Sequence, residues 1–242
     1  MVTGLLVLFG VCFGSFLNVL IYRLPLSQNV AFPSSHCLTC KTPLRWYHNI
    51  PVLSWLVLRG RCATCKSPIS AQYPLVELGA GMLFFAVALK EEGVAESLIL
   101  GLLFSLLLAL SVIDLRYKAV PDGLSFPALG LAFFSGNMLL SLEHGLMFAG
   151  GAALLRMVVS SLTKKEAMGE ADIIIAAIMG AVLGITLGLL AVYMAALLAL
   201  VAFFFLKQKG SELPFIPFLT CGMLLAYLFE TPLLGLMEAI YG

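Results

Sequence analysis

Charge is what this sequence has least of. Asp, Glu, Lys and Arg make up 11% of its 242 residues, where soluble domains carry roughly 25%. Apolar residues make up 61%, and mean hydropathy is +1.05. A water-soluble fold could not hide that much apolar surface, so the solvent is lipid. The net charge of +1 excludes a general nucleic-acid binder, which needs cations to neutralise phosphates. No internal repeat and no low-complexity tract stands out. The apolar opening, Val2 to Ile21, has no basic segment before it and no A-x-A-like end, and it runs straight into Tyr22-Arg23. It is expected to be a retained first helix rather than a cleaved signal peptide.

What the chain has in abundance is apolar runs of spanning length. A transmembrane helix takes about 20 residues, with a range of roughly 17–25. Residues 2–21, 74–90, 96–114, 123–141, 145–162, 172–187, 189–206 and 213–230 qualify, with Gly184 and Gly188 marking a turn that splits the run from Ile173 to Leu206. The expectation is an all-α polytopic membrane protein of about eight transmembrane helices with a small zinc-binding cytoplasmic loop. Charge placement supports the count. Twelve of the fourteen basic residues fall in the loops after spans one, three, five and seven, and the first of these loops has no acid at all. The alternate loops hold Lys90 beside Glu91, Glu92 and Glu96, then Glu143 and His144. Positive charge marks the cytoplasmic side, so both termini are expected outside the cytoplasm. Arg156 lies within span five, where it either snorkels or pairs with an acid. The chain is thus read as a first helix over 1–22, a polar loop over 23–73 and a seven-helix core over 74–242.

The polar loop contains C-L-T-C and C-A-T-C, that is Cys37, Cys40, Cys62 and Cys65. Two C-x2-C pairs at this separation match a structural zinc site of four thiolates. Lys41, Arg61 and Lys66 would offset its negative charge, and the metal would supply folding free energy to a short loop. Two disulfides are the alternative, disfavoured on a reducing cytoplasmic side. Four thiolates leave no open coordination position for catalysis. His36 and His48 are near enough in sequence to substitute as ligands, but are expected at the surface. Cys12 and Cys221 sit in apolar runs as ordinary small side chains.

Asp114 closes a long apolar run near the cytoplasmic end of span three, and Asp172 opens span six. Both acids are expected at the same membrane face and at comparable depth. Acids at such positions are costly and point to function. Two carboxylates brought together share a proton, giving one group that can deprotonate water and one that can polarise a carbonyl. Gly169 and Ala171 would let backbone approach a substrate strand. The plainer reading is helix capping, which Asp172 fits well, while Asp122 between Pro121 and Gly123 reads as a turn or cap residue. One sequence leaves both readings open.

These residues bring a family into view. The segment G-S-F-L-N-V-L-I-Y-R-L-P from Gly14 to Pro25, the paired C-x2-C loop, P-V-L-S-W, and Y-P-L-V-E-L ending at Glu77 and Leu78 occur in order. I-D-L-R with V-P-D, Asp114 to Asp122, and E-A-M-G-E-A-D, Glu166 to Asp172, follow them. The chain resembles the bacterial type IV prepilin peptidases, or leader peptidases, of the GxGD aspartic protease group, over nearly its whole length. One departure is that G-x-G-D appears as G-E-A-D, with Ala171 in place of the second glycine. The resemblance implies a bacterial inner-membrane endopeptidase with Asp114 and Asp172 as catalytic residues and the four loop cysteines as zinc ligands. Its substrates would be prepilins and pseudopilins of type IV pilus and type II secretion systems, which lose a short basic leader. It also implies N-methylation of the new terminus with S-adenosylmethionine, for which Gly14, Asn18 and Arg23 are candidates; no Gly-rich dinucleotide-type fingerprint is present. Glu166 and Glu170 are candidates for attracting the basic leader.

A proton-coupled transporter using the same aspartates is the main alternative, but it leaves the cysteine loop unexplained. A signal-peptide-peptidase relative fits the motif order poorly. A membrane anchor for a zinc-knuckle interaction module would leave both aspartates without a role.

Overall fold

In lipid a chain must satisfy its own backbone hydrogen bonds, which makes the helix the default for apolar runs. The computed structural model describes residues 1–164, 169–206 and 213–241, and it is helical wherever the sequence is apolar. In chain order the helices are α1 (Val2–Arg23), α2 (Leu53–Val57, preceded by a 3-10 turn at Trp46–Asn49), α3 (Gln72–Lys90), α4 (Val94–Tyr117), α5 (Asp122–Phe133), α6 (Met138–Thr163), α7 (Glu170–Leu206), α8 (Ile216–Leu228) and α9 (Glu230–Tyr241). The chain forms two compact units, Met1–Ile113 and Asp114–Gly242.

In the first unit α1 packs along α3. The contact is close because it is built on glycine: a Cβ on Gly14 would come within 2.7 Å of the Glu77 Cα. Asn18 adds a polar tie, its Nδ2 donating to the Tyr73 carbonyl at 3.0 Å. Phe84 is fully buried, and Phe9 meets it edge-on at 5.5 Å.

In the second unit α7 is the central element, packing against α5, α6 and α8. Its 37 residues would extend about 55 Å at 1.5 Å per residue, nearly twice the hydrocarbon thickness. The helix is interrupted at Gly184, whose φ of 70° and ψ of −172° only glycine adopts without strain.

Among the described residues five helices, α1, α3, α4, α6 and α7, are long and apolar enough to cross a bilayer, and a sixth span arises if α8 and α9, bent by 79°, are counted together. The expected span over 123–141 is not one helix. α5 stops at Phe133, and Asn137 starts a new helix by accepting the Leu139 and Leu140 N–H groups on its side chain at 3.1 and 3.5 Å. This cap moves the start of the fifth expected span from 145 back to Met138. The run 172–206 breaks at Gly184 and continues helically through Gly188.

Candidate active site and metal centre

Asp114 lies in the last turn of α4, and its neighbourhood is set by α8. The carboxylate is 7% exposed, and Oδ2 accepts a hydrogen bond from the Ile216 N–H at 3.2 Å. Ile216 is the first residue of α8, so this N–H has no partner within its own helix. Asp172 is the third residue of α7, and its Oδ2 accepts from the Gly169 N–H at 2.9 Å. That bond is the return half of a capping box, with Asp172 at the third helical position and not at the N-cap position expected from sequence. It engages one oxygen of the carboxylate. The two residues line one cavity of about 1080 Å³.

The rest of that cavity divides by chemistry. Met147, Phe148 and Leu155 from α6 and Ile185, Leu189 and Val192 from α7 make an apolar wall. Lys118, Arg156 and Glu170 provide the remaining charge. The alternatives for Arg156 are settled by its Nη1, which lies 3.5 Å from Glu170 Oε1. Glu166 lies outside the described residues. Ala171 sits in the first turn of α7 without positive φ, so the helical start here does not require a second glycine. Asp122 is the exposed first residue of α5.

The loop between α1 and α3 builds its cysteines on two equivalent turns. Cys37 N–H donates to the Thr42 carbonyl at 3.0 Å, and Lys41 N–H to the Cys37 carbonyl at 2.9 Å. Cys62 N–H donates to the Ser67 carbonyl at 2.9 Å, and Lys66 N–H to the Cys62 carbonyl at 3.1 Å. Lys41 and Lys66 adopt φ of 58° and 59°, and the pairs His36–Pro43 and Arg61–Pro68 bridge in the same way. The loop therefore does contain an internal repeat, C-x-T-C-K-[ST]-P, too short to register in a scan for domain-scale periodicity.

All four Sγ atoms lie within 4.8 Å of one another. A tetrahedral zinc with Zn–S near 2.3 Å requires sulfurs roughly 3.8 Å apart. Cys37 and Cys65 are separated by 3.8 Å and Cys40 and Cys62 by 4.0 Å, so the cluster fits zinc. Hydrogen bonding, foremost from the Cys40 backbone N–H, holds the Cys37 thiol down to about 5. The Ser67 hydroxyl likewise holds Cys65 below its ordinary value. One cysteine of each turn, Cys37 and Cys65, thus favours the thiolate that a metal needs, while Cys62 is shifted the other way. His36 and His48 are not part of the cluster.

Gly14, Asn18 and Arg23 have other partners. Gly14 spaces α1 from α3. Asn18 Nδ2 bonds the Gly14 and Tyr73 carbonyls. Arg23 donates to the carbonyls of Asn29, Val30 and Pro33 at 3.0, 2.9 and 2.6 Å, clamping the start of the loop. Glu77 is a residue whose role sequence reasoning missed. Buried in α3, its Oε2 accepts the Val52 N–H at 2.7 Å. The signal available was a single acid set inside an apolar run.

Comparison with known proteins now decides the family. Residues 101–206 match the Type IV leader peptidase family, and residues 8–91 match the Bacterial Peptidase A24 N-terminal domain. The chain belongs to the type IV leader peptidase family. A Prepilin leader peptidase/N-methyltransferase of Klebsiella pneumoniae is 42% identical over 191 residues, covering 73% of this chain and 82% of the relative. One from Pseudomonas putida is 33% identical over 253 residues, covering 91% and 88%. One from Myxococcus xanthus (strain DK1622) is 42% identical over 179 residues, covering 71% of this chain and 53% of the relative, so the match spans about half of that longer protein. No solved structure matches the chain. Family membership together with the apolar helices makes this family member a multi-pass membrane protein.

Proposed function

We propose that this chain is a membrane-embedded endopeptidase that removes the leader of prepilins and pseudopilins, with Asp114 and Asp172 as its hydrolytic pair. The observation that carries the assignment of the pair is that both residues line one cavity whose other wall is apolar. An apolar substrate helix can lie along α6 and α7 while its polar leader remains toward the basic side of the membrane. One ionised aspartate takes a proton from water as the water oxygen attacks the scissile carbonyl carbon. Its protonated partner donates to the carbonyl oxygen. When the tetrahedral intermediate collapses, the C–N bond breaks and the new amine leaves with a proton from the pair. The Ile216 N–H orients Asp114, and the Gly169 N–H orients Asp172. Asparagine at either position should stop cleavage of a prepilin in vesicles without affecting insertion.

Zinc at Cys37, Cys40, Cys62 and Cys65 is structural in this reading and takes no part in hydrolysis. The names of the relatives, which include N-methyltransferase, support N-methylation of the released N-terminus as a second activity, with S-adenosylmethionine as the donor in this reading. The packing and clamping contacts of Gly14, Asn18 and Arg23 favour structural work for these residues over donor binding. The charge alternation supports inner-membrane insertion with both termini outside the cytoplasm; eight crossings would further need the 12-residue α5 to cross as a short span. In that topology α7 passes twice about Gly184. Neither family membership nor the cysteine cluster favours a transporter.

A further inference from the structure

The loop between α1 and α3 presents an apolar surface that neither hydrolysis nor zinc binding uses. In α2, Leu53, Leu56 and Val57 are 61%, 56% and 80% exposed. Their i, i+3, i+4 spacing places them on one face of the helix. Trp46, in the preceding turn, is 79% exposed. In the same loop Arg45, Arg59, Arg61, Lys41 and Lys66 are also exposed, and no acid occurs anywhere in residues 23–73.

The position of this surface along α3 is set by Glu77. Val52, the residue before α2, donates its N–H to the Glu77 carboxylate. Glu77 lies five residues into α3, about 8 Å along the helix axis. Val52 is the centre of a γ-turn closed by the Leu53 N–H to the Pro51 carbonyl, with φ 60° and ψ −53°. This is a strained geometry for a β-branched residue, and the carboxylate bond holds it. α2 is therefore tethered beside the membrane span rather than suspended in the cytosol.

We propose that the face formed by Trp46, Leu53, Leu56 and Val57 lies in the bilayer interface, with the loop cations on anionic lipid headgroups. Interfacial helices bury their apolar face about 5–10 Å below the headgroups, comparable to the roughly 8 Å by which the Val52–Glu77 bond sets α2 along α3. Juxtamembrane cations are drawn to anionic lipid, and a loop with no acid meets no opposing repulsion. Trp and Tyr favour this zone because one end of the ring is apolar and the other polar. The zinc module in this account is a membrane-resting platform that fixes the height of the loop.

Trp46 is its own probe. The full chain is reconstituted in phosphatidylcholine vesicles, with or without phosphatidylglycerol, that contain a lipid brominated near the headgroup. The difference in tryptophan emission between the wild type and Trp46→Phe isolates Trp46 and leaves the packed Trp55 untouched. The expected result is quenching of the Trp46 signal by bromolipid about twofold or more, stronger with phosphatidylglycerol, together with protection from aqueous acrylamide. A combined Leu53→Ser, Leu56→Ser, Val57→Ser variant, checked for retained zinc, should expose Trp46 to acrylamide and release it from bromolipid. Free acrylamide quenching without lipid quenching in the wild type overturns the proposal. So does shielding that appears only when a prepilin is added, which would make this a protein-docking face. Undiminished lipid quenching in the triple-Ser variant would show that α2 does not hold the surface in lipid.

Discussion

The carboxylate of Asp114 and the backbone N–H of Ile216 are joined by a 3.2 Å hydrogen bond across 102 residues of chain. The donor is an orphan N–H at a helix start, so the bond fixes one carboxylate oxygen with a group that cannot rotate away. Aspartate length is required for it. Asp114→Glu keeps the charge but moves the carboxyl group by one methylene. Prepilin cleavage should fall about 10²-fold in kcat, since misplacement by about 1 Å can cost that much. The thermal midpoint in detergent should change little, which separates mispositioning from unfolding.

Glu170 pairs with Arg156, and both line the cavity. A basic leader must compete with Arg156 for that carboxylate. Glu170→Gln should raise KM for a leader with several lysines about two- to fivefold, a span suited to an exposed ion pair. Arg156→Gln should lower KM for the same peptide. With a neutral leader neither change should matter. Peptides that differ only in leader charge provide the measurement.

Elemental analysis should find about one zinc per chain, and Cys62→Ser should lose it. Trp55 donates its Nε1–H to the Ile69 carbonyl at 3.2 Å and packs over Gly60, inside the module that the cysteines close. Chelation should therefore shift tryptophan emission to the red while the helical circular dichroism of the spans stays nearly constant. An unchanged emission maximum after complete zinc removal would count against a structural role for the metal.

Gly14 has backbone against it. Gly14→Val should force α1 away from α3 and destabilise the first unit by about 1–3 kcal/mol, as overpacking of a filled interface does. A lowered thermal midpoint reads this out. Zinc should be retained, because the cysteine turns do not depend on that contact.

How much of this was legible beforehand depends on the scale of the signal. Helical membrane character, the cysteine cluster and the family were readable because composition and short motifs carry them. The helix boundary at Asn137 was present in the sequence as Ser135-Gly136-Asn137, but averaging hydropathy across 123–141 hides a three-residue break between apolar stretches. The bend between α8 and α9 has a local cue in Pro232, which cannot donate to the Leu228 carbonyl one turn back, but an apolar run read over 213–230 stops short of it. At the candidate site, the types of Asp114 and Asp172 drew attention, but the Ile216 donor and the Arg156 partner are tertiary facts. The bond between Val52 and Glu77 is of the same kind, since it depends on two distant segments meeting.

The central claim is that Asp114 and Asp172 together hydrolyse the leader bond. Its most direct test is single-turnover cleavage of a purified prepilin by Asp114→Asn and Asp172→Asn in proteoliposomes, with zinc content and insertion measured on the same samples. Each variant should be slower by at least about 10²-fold, within the range of general acid–base catalysis, with metal and insertion unchanged. Cleavage at near wild-type rate by either variant would contradict the account.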